Sequence, residues 1–178
     1  MECRQRVGQT RAMLAYDISV WAPWFQAEIA AAAALLGLFV VAMSINLERI
    51  VNNAALPYRA AETLDILAVA LVIVSIAVFP MPSAQALGIC IAVVAGIGWL
   101  AVLGFQVQTR DKSRGEMTSL KRRIAESQLA TLPAVIGGVS LWLHWGGGLY
   151  WVAAGMLLSF LVAIANAWVL LVEIRRRQ

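Results

Sequence analysis

Charge is scarce in this chain of 178 residues: Asp, Glu, Lys and Arg make up 13% of it, against about 25% in soluble domains. Hydrophobic residues take their place at 61%, and the mean hydropathy is +0.78. A single water-facing globule could not bury that much apolar surface. Histidine occurs once and cysteine twice, which excludes a disulfide scaffold and any metal centre built from His and Cys. Cys3 lies in a polar stretch and Cys90 in an apolar run, so both are expected to be free thiols. G-x-x-x-x-G-K-[ST], H-E-x-x-H, C-x-x-C and G-x-S-x-G are all missing, and the scattered serines have no His and acid partners on one face. The expectation is therefore a protein that is not an enzyme and uses no cofactor.

What the chain does have is long apolar runs. A bilayer core takes about 20 such residues, and runs of that kind fall at about 25–46, 60–79, 84–107, 126–143 and 149–173. Residues 1–24 read as a polar and interfacial segment, and 25–178 as one transmembrane domain. No h-region with a cleavage site precedes Trp21, so the first run is expected to be retained. Pro80 and Pro82 separate the second run from the third. Gly146, Gly147 and Gly148 allow a reversal between the fourth and fifth. The sequence thus predicts an all-α, polytopic bundle of five spans. Four spans are the alternative, because the fourth run is short and carries Pro133 and the Gly137-Gly138 pair.

Five spans put the ends of the domain on opposite faces. Arg4, Arg6 and Arg11 then fall on one face, and the other eleven of the fourteen basic residues, from Arg49 to Arg177, on the other. The positive-inside rule makes the second face cytoplasmic, with the amino terminus outside and the carboxyl terminus inside. Trp21, Trp24, Trp142, Trp145, Tyr150 and Trp151 all come at outer ends of runs, at headgroup level. His144, in the same outer turn, reads as interfacial. The net charge of +4 is thereby a topology signal, and no nucleic-acid partner is expected. The basic loop at 108–126 suits anionic lipids.

Small residues let membrane helices approach, and three stripes stand out: Ala30, Ala34 and Gly37; Gly88, Ala92 and Gly96; Gly155, Ser159, Ala163 and Ala167. Packing within the bundle is the expected use, with an oligomer interface as the alternative. The second run has no such stripe, and its bulky VALVIVSIAVF segment suggests lipid exposure or contact with a neighbouring subunit.

Intramembrane charges are costly and mark candidate sites. Asn46, Glu48, Arg49, Arg59, Glu62, Asp65 and Asn166 gather at span ends on the cytoplasmic side, with Glu173 near the same level. Glu62 and Asp65, three apart, share a helical face and could hold a cation or a proton. The competing expectation is a structural ion-pair network through Arg49 and Arg59. Asn166 suits an interhelical hydrogen bond. Glu28, about a turn inside the first run, is a possible outer polar site.

The segments SINLERI, LPYRAAETL and LYWVAAGMLLSFLVAIANAWVLLVEI resemble those of a family of small actinobacterial polytopic membrane proteins described as modulators of the membrane AAA protease. The resemblance runs from about Ala30 onwards. It implies a polytopic fold in a bacterial inner membrane, no assigned catalytic residues, and recurrent polar positions matching Asn46, Glu48, Arg49, Arg59, Glu62, Asn166 and Glu173 here. It also implies association with a larger membrane complex such as a protease. From the residues themselves, a homo-oligomeric, channel-like protein passing ions or small solutes is the reading preferred, and the interaction protein is the alternative.

Overall fold

A computed structural model describes residues 14–52, 56–112 and 117–176. Among them every regular element is a helix: α1 (Ile18–Ile45), α2 (Leu47–Val51), α3 (Leu56–Val78), α4 (Ala84–Lys112), α5 (Met117–Leu143) and α6 (Leu149–Arg176). All but α2 are long and apolar enough to cross a membrane. The protein is a multi-pass membrane protein with five spanning helices.

Each boundary has a local cause. The Asp17 side chain accepts from the Ser19 backbone N–H at 3.0 Å and caps α1. The helix therefore starts at Ile18, ahead of the apolar run, and takes Trp21 and Trp24 into its first turns. Asn46 ends it, and α2 turns away as a separate short helix. Past Phe79 the segment Pro80–Pro82 breaks the chain, and the Ser83 hydroxyl accepts from the Ala86 N–H at 3.1 Å as α4 begins. Gly146, Gly147 and Gly148 all have positive φ, at 90°, 110° and 46°. A left-handed path of that kind suits glycine.

α3 is the hub. It packs against α1, α4 and α6, while α5 is held between α4 and α6. The lipid-facing role expected for the second run holds for one face only, at Val72, Ser75 and Phe79; the other face is core. Its buried residues, Ala60, Thr63, Ile66, Leu67, Ala70, Ile73, Val74 and Ala77, recur at three- and four-residue spacing and form a core face. The alanines in that series let neighbours approach between the bulky side chains.

Helix association in lipid depends on close approach, and α5 achieves it on both sides. A Cβ at Gly138 would lie 2.5 Å from the Ala92 backbone nitrogen of α4, and one at Gly137 would lie 2.7 Å from the Val152 nitrogen of α6. Gly88 and Gly155 make matching contacts with Trp142 and Ala134. The Gly155, Ser159 and Ala163 stripe is buried, as expected. Packing fails along the first stripe and at one member of the second. Ala30, Ala34 and Gly37 face away from the bundle, and neither Gly37 nor Gly96 has any neighbour within 4 Å of where its Cβ would be. The reason is rotational: α1 turns Phe25, Glu28, Ala32 and Phe39 inward instead.

Aromatic rings at two of the span ends meet. Trp21 stands edge-on to Tyr150, with ring centroids 4.9 Å apart, which joins the start of α1 to the start of α6. α5 continues through Pro133, and the Ser159 hydroxyl of α6 donates to the Ala130 carbonyl at 2.9 Å. That bond supports the backbone turn that a proline crowds.

Candidate functional site

The buried face of α3 carries one carboxylic residue into the core. Glu62 is 1% exposed and meets donors from two other helices. Gln106 Nε2 of α4 donates to Glu62 Oε1 at 3.0 Å, and the Ser127 hydroxyl of α5 donates to the same oxygen. Thr131, one turn along α5, donates to the Ser127 carbonyl at 2.9 Å. Beside this group Trp99 Nε1 donates to Gln128 Oε1 at 2.7 Å, tying α4 to α5. Polar contacts thus tie α3, α4 and α5 together inside an otherwise apolar bundle.

Asp65 lies one turn further into the membrane. Its Oδ2 is buried and has no hydrogen-bond partner among the described residues. The residue borders a cavity enclosed by α3, α4, α5 and α6, whose other polar walls are Thr131 and Ser159. The space open to the centre of a water molecule is about 10 Å3, which is room for about one water. A buried, unpartnered carboxylate oxygen is expensive unless a proton, a cation or water reaches it. Glu62 and Asp65 sit on one face, as their spacing implied, and the cavity lies on the Asp65 side.

The remaining candidates scatter. Asn46 turns its amide back to the Ala42 carbonyl at 2.9 Å, and Glu48 is exposed on α2. Arg59 is half-buried near the start of α3. The side chains of Arg49 and Glu173 fall outside the described residues, so the pairing expected of Arg49 lies outside them too. Asn166 is half-buried. At a rise of about 1.5 Å per residue it lies about 26 Å along α6 from Leu149. Glu28 is 9% exposed, with Oε2 buried and without a hydrogen-bond partner among the described residues. It faces inward and not out to the membrane surface.

Gln106 and Ser127 are the site residues that sequence reading missed. Both stand where an apolar run meets the basic loop, so they read as span ends. Their only sequence signal is that a buried Glu at Glu62 needs donors from neighbouring helices at its own depth. Among the described residues no group of three or more His, Cys, Asp and Glu side chains converges on a point. Cys90 is a free, half-buried thiol, and Cys3 lies outside the described residues. No family model, curated protein or solved structure matches the chain.

Proposed function

We propose that this membrane protein binds and releases a proton at the Asp65–Glu62 pair, and that it passes protons across the membrane as a small channel-like assembly. The observation that carries the reading is the buried Asp65 Oδ2, unpartnered among the described residues at the edge of a cavity for about one water. A proton needs no more room than that, whereas a hydrated ion or an organic solute does. Permeation of larger solutes is therefore not favoured through a single chain. Glu62, tethered by Gln106 and Ser127, supplies a fixed second carboxyl one turn away. Thr131 and Ser159 supply hydroxyls on the other walls.

The face of α1 bearing Ala30, Ala34 and Gly37 gives the assembly a surface on which copies of the chain can meet. The same bare face favours the second reading, a non-enzymatic protein that docks against a larger membrane complex and uses the proton site to sense pH. We place the protein in a bacterial inner membrane with the basic loop inside, where anionic lipids would neutralise it.

The test is proton flux into liposomes under an imposed potential, read by an internal pH-sensitive dye. Wild type should conduct and Asp65→Asn should not, with both variants folded in detergent. Equal flux in wild type and folded Asp65→Asn would remove the site, and no flux in wild type would leave the docking reading.

A further inference from the structure

At the opposite end of the bundle from Glu62, the amino-terminal segment and the turn between α5 and α6 build a second site. The Leu149 N–H donates to the Ala15 carbonyl at 2.9 Å, and the Gly147 N–H donates to the Tyr16 hydroxyl at 3.2 Å. The Gly148 N–H donates to Ser140 Oγ at 2.9 Å, and Trp151 Nε1 to the Gly146 carbonyl at 2.8 Å. These bonds fix a concavity of about 440 Å3, open at the surface and walled by Tyr16, His144, Trp145 and Tyr150. That volume lies within the ordinary range for a small-molecule site. The rings of Tyr16 and His144 stack at 5.1 Å and 14°.

Two features separate this pocket from an ordinary belt of interfacial aromatics. His144 holds a left-handed backbone, with φ of 51°, in order to end α5, a position that glycine usually fills. Trp145 is 79% exposed and Tyr150 is exposed as well. The ring nitrogens of His144, the indole N–H of Trp145 and the hydroxyl of Tyr150 have no partner among the described residues.

We propose that this pocket binds the headgroup of a zwitterionic phospholipid carrying choline or ethanolamine, in the leaflet at the amino-terminal face. The ammonium group sits against the aromatic faces, which attract cations through their quadrupoles. The spare indole and phenol donors meet the phosphodiester that accompanies it. The described walls of the pocket include no Lys or Arg to favour an anionic headgroup. They also lack the carboxylate and amide side chains that sugar hydroxyls would need. The only fixed charge among the described residues of this end is Asp17, next to Tyr16 and negative. Its bonds to Ser19 hold the carboxyl below its ordinary value, so it stays ionised at neutral pH.

The full chain in nanodiscs of equal parts phosphatidylcholine and phosphatidylglycerol tests the assignment, with retained lipids counted by native mass spectrometry. Wild type should retain phosphatidylcholine over phosphatidylglycerol by about fivefold. Trp145→Leu and Tyr150→Leu should bring that ratio to about one, while Trp168→Leu, at an exposed aromatic of α6, should leave it unchanged. Should Trp145→Leu fail to fold, His144→Gly removes one wall and the stacking on Tyr16 without adding strain, and should lower the ratio too. Equal retention of the two lipids by wild type overturns the proposal, as does a preference that survives Trp145→Leu and Tyr150→Leu. Saturable binding of tetramethylammonium with no lipid preference also overturns it, in favour of a soluble ammonium ligand.

Discussion

Gln106 and Glu62, 44 positions apart, are joined by a hydrogen bond of 3.0 Å inside the bundle. A residue near the end of α4 thereby holds a carboxyl that α3 carries into the core. The bond fixes the relative depth of the two helices, because sliding either along the other would leave a buried polar group unmet.

The first prediction concerns that bond. Gln106→Leu removes one of the donors to the buried Glu62 carboxyl, so the variant should lose about 1–3 kcal/mol of stability. Ser127→Ala should cost a similar amount, and the double variant more than the larger single loss. Denaturant unfolding in mixed micelles measures all three. A loss within error for both single variants would show that Glu62 is satisfied by other means.

Glycines at contacts and at bare faces should respond in opposite ways. At Gly138 a methyl group would meet the backbone of Ala92 at 2.5 Å, which only a shift of α4 could relieve. Gly138→Ala should therefore destabilise by about 1–3 kcal/mol through overpacking. Gly37→Ala, with nothing within 4 Å, should be neutral or gain up to about 1 kcal/mol from helix propensity. Thermal unfolding of the two side by side decides it. If Gly37→Ala abolishes a dimer seen in mild detergent, the bare face of α1 is an interface between copies.

His144→Gly should raise the unfolding temperature. The left-handed backbone costs a side-chain-bearing residue about 1 kcal/mol, and glycine adopts it freely. Loss of the ring stack on Tyr16 offsets part of that gain. A lower unfolding temperature would mean that the stack outweighs the strain.

Asp17 gives a pH dependence of known sign. Its carboxyl sits below the ordinary value of 3.8 because the Ser19 hydroxyl and the Ser19 backbone N–H both bond to it. A depressed folded value contributes stability above the unfolded value, and that contribution is lost as pH falls through the folded one. The stability gap between wild type and Asp17→Ala should be constant near neutral pH and narrow only below about 4. A gap that does not change with pH down to denaturation would show that the cap does not depend on charge.

The spans could be read from the sequence because bilayer thickness sets a length that apolar runs must meet. Their ends could be read where a breaker stands, as at Pro80 and Pro82, and missed where a cap decides, as at Asp17. Which face turns inward was harder. A run of Val, Ile and Leu looks alike on every side, so the core role of α3 was hidden in the spacing of Ala60, Ala70 and Ala77. Glu62 and Asp65 could be singled out because charge in a membrane is rare. Gln106 and Ser127 could not, since a polar residue near a loop has an ordinary explanation, and only folding places it against a carboxyl. The stripe at Ala30, Ala34 and Gly37 shows the converse: small residues permit contact, and here the described chain does not use the permission.

The glycine pair in α5 bears on how the protein is made. α5 is the least apolar of the five spans, with Gly137 and Gly138 each placed against the backbone of a different neighbour. As the nascent chain emerges, α4 is already available to cover the Gly138 side, but the Gly137 side stays uncovered until α6 has been synthesised. Its settling across the bilayer is therefore completed after its own synthesis, when the following helix arrives. A chain stalled with α5 clear of the ribosome and α6 still inside it should hold a fourth span that is reversible, and release of α6 should lock it.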